Sequence, residues 1–279
     1  MNKPELRATL PSFLWLLGLV LLPTLLVFVI AIKPATSSGG IGDGWSLDAL
    51  RALRDPHFPA IIWRTLWISL VTTVACLGIA IPVAWTMARA TPPTKNRLLL
   101  LIVVPFWTNF LIRVFAWKQI LHSEGALANL LRKLHLLEAN DMLLYQPSAV
   151  ILVSIYTFLP FAILPIYAAA EKFDFTLLDA ARDLGATAFR SVTQVFIPGI
   201  RRGLITAWIV VFIPMLGSYI IPDLVGGAAS EMIGNKIAQR NFSDRNLPRA
   251  AVLSAALTLV VLIPFALRRR PTEKTESMP

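Results

Sequence analysis

The chain has 279 residues, 56% of them hydrophobic and 15% charged, with a mean hydropathy of +0.66, whereas a soluble domain carries about 25% charge. A net charge of +10 would suit nucleic acid if it formed a stripe on one folded face, but the Lys and Arg residues fall in the gaps between apolar runs, which points to a membrane surface and excludes a nucleic-acid partner. The single cysteine, Cys76, sits inside an apolar run, so it excludes an intrachain disulfide and a cysteine metal cluster and reads as a small packing residue.

Six stretches are long and apolar enough to cross a bilayer: residues 11–32, 60–88, 98–121, 147–169, 203–222 and 247–267. With no water to satisfy backbone N–H and C=O groups in hydrocarbon, runs of this length are expected to be helices. The reading is therefore an all-α polytopic membrane protein with one transmembrane domain over residues 1–279. Pro23, Pro82, Pro160, Pro165 and Pro214 fall within the runs and suggest kinks, not breaks. Lys3 and Arg7 precede the first run as in a signal peptide, but the run is long and lacks a small-residue cleavage site, so it is read as the first span.

An even number of spans puts both termini on one side. That side carries Lys3, Arg7, Arg89, Lys95, Arg97, Lys172, Arg182, Arg190, Arg201, Arg202, Arg268, Arg269, Arg270 and Lys274, against Lys33, Arg51, Arg54, Arg132, Lys133, Lys236, Arg240 and Arg245 opposite. Fourteen against eight places the termini in the cytoplasm.

The loop between spans four and five, TLLDAARDLGATAFRSVTQVFIPGIRRG (176–203), is then cytoplasmic. Thr176 with Asp179 three residues on resembles a capping box: the hydroxyl would accept from a first-turn N–H, and the helix dipole favours the carboxylate. Gly185 stands where a helix end wants a left-handed residue. A second helix can begin after Thr187, with Phe189, Val192, Val195 and Phe196 at roughly helical spacing, and Pro198 with Gly199 ends it. Spacing alone also suits an ordinary interfacial loop.

Within this loop Asp179, Ala180, Ala181, Gly185, Val195, Ile197 and Pro198 resemble the EAA motif of ABC-importer permeases: EAA, three residues, G, nine residues, I, any residue, L, P. The departures are Asp179 for Glu, Val195 for Ile and Ile197 for Leu, each conservative. VPFWTNFLIRVFAW (104–117), YQPSAVILVSIYTFLPFAILPIY (145–167), LLDAARDLGA (177–186) and DLVGGAASEMIGNKI (223–237), with SLDAL from Ser46 and the DP at Asp55, are similar to the spermidine/putrescine class of these permeases. The resemblance implies a type I importer permease fold of six helices whose cytoplasmic coupling helix docks on an ATPase. Its implied partners are two copies of that ATP-binding subunit, a second related permease, an external solute-binding protein, membrane lipid and a polyamine substrate, in a bacterial inner membrane. An amino-acid-like, phosphonate or metal-chelate cargo on the same machinery stays open, as does a secondary transporter.

No G-x-x-x-x-G-K-[ST] loop occurs in the chain, so ATP hydrolysis is expected in a partner. His57, His122 and His135 show no metal spacing, and no nucleophile elbow or intramembrane acid pair is present. No catalytic residue, cofactor or metal is expected.

A polyamine would need carboxylates, carbonyls and aromatic faces in place of water. The candidates are Trp107, Asn109 and Trp117 in span three, Tyr156 in span four, and Tyr219 with Asp223 closing span five. Each aromatic also suits an interfacial belt, and Asp223 also suits plain exposure at headgroup level. Gly226 and Gly227 read as a turn or as a place where backbone approaches solute. Arg113 within span three would repel a cation from a cavity unless it turns outward or pairs with a carboxylate.

Overall fold

Apolar runs that must satisfy their own backbone polar groups form helices here. The computed structural model describes residues 3–36, 39–138 and 141–267; Arg268, Arg269, Arg270 and Lys274, counted above on the side of the termini, lie outside the described residues. Among the described residues no strand forms beyond an isolated bridge between Ala35 and Ile41. The chain divides into two compact units, one of the segments up to Phe58 and from Lys236, the other Pro59–Asn235.

In the first unit α1 (Lys3–Ala31) packs along α12 (Leu247–Leu267). A short 3-10 turn, Asp48–Arg54, closes one end, and Ala31, Ala49, Ala251 and Val252 are buried together. Small side chains at these positions let the backbones approach, which is how helices associate where lipid offers no hydrophobic drive.

The second unit holds α2 (Phe58–Arg89), α3 (Pro92–Val103), α4 (Phe110–Leu121), α5 (Ala126–Lys133) and α6 (Pro147–Ala170). After them come α7 (Thr176–Asp183), α8 (Ala188–Gly199), α9 (Arg201–Leu216), α10 (Ile220–Val225) and α11 (Ile233–Ala238), the last running into the first unit. The main packing is α6 against α9. One core gathers Ala80, Ala84 and Met87 of α2 with Ala162, Ile166 and Ala170 of α6 and Ala207 and Val211 of α9. A second gathers Ile68, Val114, Val150, Val153, Met215 and Ile221. Cys76 is buried with its Sγ 3.8 Å from the Ile155 carbonyl, as a packing residue should be. Pro23, Pro82, Pro160, Pro165 and Pro214 all lie inside continuous helices.

Among the described residues three helices are long and apolar enough to cross a membrane, and five if each bent pair counts once, with Leu247–Ile263 a shorter apolar helix. Two expected spans differ from single rods. The 98–121 run is broken: α3 passes into a tight turn, Val104–Trp107, and α4 leaves at 92°. Pro105 has no N–H to donate, and Thr108 is extended (φ −80°, ψ 148°). Asn109 restarts the helix by accepting from the Leu111 N–H at 2.8 Å. The 203–222 run ends at Leu216, and Ile220 opens a separate helix of six residues.

Candidate functional site

The 176–203 loop forms a helix, a turn and a helix. Its first cap differs from the expected one: Asp174, not Thr176, closes α7, its Oδ1 accepting from the Thr176 hydroxyl at 2.7 Å and the Thr176 N–H at 3.0 Å. The hydroxyl first, and then the N–H, favour the charged carboxylate and hold Asp174 below its ordinary value. Asp179 instead pairs loosely with Arg182 at 3.8 Å, both exposed.

Gly185 adopts φ +86°. The Gly185 N–H donates to the Arg182 carbonyl at 2.9 Å and the Ala186 N–H to the Ala181 carbonyl at 3.0 Å, the paired bonds of a Schellman end. Thr187 then caps α8, accepting from the Arg190 N–H at 3.3 Å, and α8 carries a π-type turn over Val192–Phe196. Beyond Pro198 and Gly199 the chain turns by 70° into α9. Ala180 and Pro198 are exposed, while Ala181, Val195 and Ile197 are half-buried. Leu184 is 90% exposed and Phe189 78%.

What anchors the loop was not read from the sequence. Phe173 and Phe175 before α7, Phe196 in α8 and Trp85 in α2 form an aromatic cluster, for which the only local sign was two aromatics flanking Asp174. Beside it Glu171 accepts from the Tyr167 hydroxyl at 2.8 Å and from Lys95 Nζ at 3.0 Å, joining α3 to the end of α6. The Tyr167 bond first, then Lys95, holds Glu171 below its ordinary value. Both carboxylates thus favour the folded state above the ordinary carboxylate range, and that contribution is lost as pH falls through their depressed values.

The pathway candidates fall in three places. Trp107, 77% exposed, and Asn109 mark the break in the third run. Trp117 and Tyr156 meet edge to face with centroids 5.4 Å apart. Tyr219 and Asp223 share one turn, the Asp223 N–H donating to the Tyr219 carbonyl at 2.9 Å. Arg113 turns onto the Phe106 ring at 4.5 Å.

Asp223 is exposed and lines a hollow of about 320 Å³ with Pro222, Gly226, Gly227, Ala228, Glu231 and Asn235. Glu231 and Asn235 were passed over in the sequence. Asn235 is held from both sides, its amide donating to the Tyr219 carbonyl at 3.1 Å and its Oδ1 accepting from the Met232 N–H at 3.1 Å. Arg64 Nη1 donates to the Ala228 carbonyl at 3.0 Å. The glycines are there for close approach: a Cβ on Gly227 would lie 2.5 Å from the Tyr145 carbonyl, and one on Gly226 2.5 Å from that of Pro222.

No protein-family model matches the chain. A solved bacterial ABC transporter involved in the import of the acidic polysaccharide alginate has a chain similar to this one at a TM-score of 0.69 and 18% identity, over 96% of both chains. That likeness shows that the chain shares the fold of a chain of an ABC transporter. The spermidine/putrescine transport system permease PotB of Haemophilus influenzae is 36% identical over 262 residues, 94% of this chain and 92% of its own. PotB of Escherichia coli is 34% identical over 247 residues, 88% and 90% of the two chains. The chain belongs to this family of permeases, the transmembrane subunits of binding-protein-dependent ABC importers.

Proposed function

We propose that this chain is one of two related permease subunits of a polyamine importer of the bacterial inner membrane. Two copies of an ATP-binding subunit drive it from the cytoplasm, and an external binding protein delivers spermidine or putrescine. Residues 1–279 act as one domain of six spans: α1, α2, the bent α3–α4 pair, α6, α9 and α12. Both termini and the 176–203 loop are cytoplasmic. Asp179, Ala180, Ala181, Gly185, Val195, Ile197 and Pro198 build the surface that meets the ATPase, and Trp107, Asn109, Trp117, Tyr156, Tyr219 and Asp223 serve the pathway.

Similarity to spermidine/putrescine permeases over nearly the whole chain carries this reading. The hollow with Asp223 and Glu231 supports a cationic cargo, since two carboxylates attract ammonium groups and repel an acidic polysaccharide. A loop that leaves Leu184 and Phe189 open supports a docked partner.

Purified alone, the chain is expected to hydrolyse no ATP. Assembled with its ATPase and second permease in vesicles, it is expected to accumulate labelled spermidine or putrescine, with hydrolysis stimulated by the loaded binding protein. ATP turnover by the isolated chain, or accumulation of an anionic solute instead, would sink the reading.

Asp223→Asn keeps size and hydrogen bonding while removing the charge. Contact attraction in a wet mouth is roughly 1 kcal/mol, so polyamine uptake is expected to fall about fivefold with assembly intact. Uptake at the wild-type rate would make Asp223 a surface residue.

A further inference from the structure

We propose that the Arg89-bearing end of α2 is a third attachment of the coupling loop, and that Trp85 is the positioning residue through which movement of α7 and α8 reaches α2. This rests on the reading of the 176–203 loop as the part that meets the ATPase. The loop is joined covalently to α6 and α9, so ATPase movement reaches those helices through the chain itself. α2 lies more than eighty residues away in sequence; it packs on α6 and α9 through Ala80, Ala84 and Met87, and its direct hold on the loop is through side chains near its end.

Those side chains form a closed set of rings. Trp85 meets Phe196 edge to face at 4.6 Å and Phe175 at 5.4 Å. Phe173 meets Phe175 at 5.3 Å and Phe196 at 5.2 Å, and Phe175 stacks on Phe196 at 6.0 Å. Every ring thus has at least two partners, so none can slide without disturbing the others, and edge-to-face pairs lose their attraction when tilted or drawn apart. Phe175 directly precedes α7 and Phe196 lies within α8, so Trp85 holds both helices of the loop at once.

Two further features belong to this grip. The Arg89 guanidinium lies 5.5 Å from both the Trp85 and the Phe175 centroids, one turn beyond Trp85, tying the end of α2 to the start of α7 by cation–π attraction. Gly199 clears the seat of Phe173, because a Cβ there would overlap the Phe173 ring. Phe196 is fully buried among these groups. Close-packed clusters of this kind shift between discrete arrangements and do not stretch, so a tilt of α7 and α8 carries α2 with it.

The experiment uses the whole transporter in vesicles and reads solute imported per ATP hydrolysed. Trp85→Leu removes the ring while Ala80, Ala84 and Met87 still pack α2 into the core. It is expected to assemble and hydrolyse ATP, with solute moved per ATP about fivefold lower, and Trp85→Phe is expected to restore at least half. Unchanged solute per ATP in Trp85→Leu overturns the proposal. A wild type that hydrolyses ATP with no linked uptake overturns the coupling reading itself, a different result.

Should Trp85→Leu fail to assemble, spin labels at Thr86→Cys and Thr193→Cys, both exposed, report on a transporter that keeps Trp85. An unchanged distance between them in nucleotide-free and ATP-bound states is the expected result, and a change shows that α2 and α8 slide apart, which overturns the proposal.

Discussion

Gly185→Val is expected to reduce coupled uptake about thirtyfold while the protein still inserts in the membrane. Gly185 sits at φ +86° with nothing within 4 Å of an added Cβ, so the penalty is conformational and not a clash. An L-residue held in the left-handed region costs roughly 1–2 kcal/mol, and a β-branched one lies at the upper end or beyond. About 2 kcal/mol against the native turn lowers its population roughly thirtyfold. The turn carries the chain directly from α7 into α8, so its geometry bears on the surface carrying Leu184 and Phe189.

A graded series separates this from a lost contact. Asn tolerates the left-handed region better than other non-glycine residues, so Gly185→Asn is expected to stay within about threefold of wild type, with Gly185→Ala between Asn and Val. The measurement is uptake and ATP hydrolysis in vesicles at matched assembly. Wild-type uptake by the Val variant would show that the loop does not need this turn to work.

The loop was readable in the sequence because its determinants are local. Gly185, the Thr187 cap and the Pro198–Gly199 end act on residues within one turn of themselves. Thr176 misled for the same reason: a hydroxyl before a helix reads as its cap, yet here it donates to Asp174, two residues back. The break at 104–109 was hidden because hydropathy records what a segment faces and not where its backbone points. Pro105 and Asn109 mark the break only once the backbone is seen, since an apolar run continues on both sides of them.

The aromatic cluster was not legible. Trp85, Phe175 and Phe196 come from three separate segments, and nothing in the run of residues around Trp85 distinguishes it from the other tryptophans of α2, Trp63 and Trp67, which are exposed. The hollow was half legible. Asp223 stood out as a carboxylate ending an apolar run, whereas Glu231 and Asn235 follow a turn, where polar residues are unremarkable until the chain folds them back beside Asp223.

Gly203 is the second place where one side chain should decide the outcome, and here the reason is steric. In α9 it faces α6 so closely that an added Cβ would lie 2.6 Å from the Ala169 Cβ and 2.7 Å from the Pro165 carbonyl oxygen. Those atoms belong to a helix backbone and its first side-chain carbon, so neither can rotate away, and the two helices must separate. Overpacking costs typically about 1–3 kcal/mol, and Gly203→Leu, with three further carbons, should exceed that range and leave little folded permease. Gly203→Ala is expected to cost about 2 kcal/mol, read as a lower midpoint of thermal unfolding in detergent and a smaller yield of assembled complex. Adding Ala169→Gly removes the Cβ clash but not the one with the Pro165 carbonyl, so the double variant should recover only part of the loss. Full recovery would mean the carbonyl contact is immaterial, and an unaltered unfolding midpoint in Gly203→Ala would mean α6 and α9 do not approach this closely.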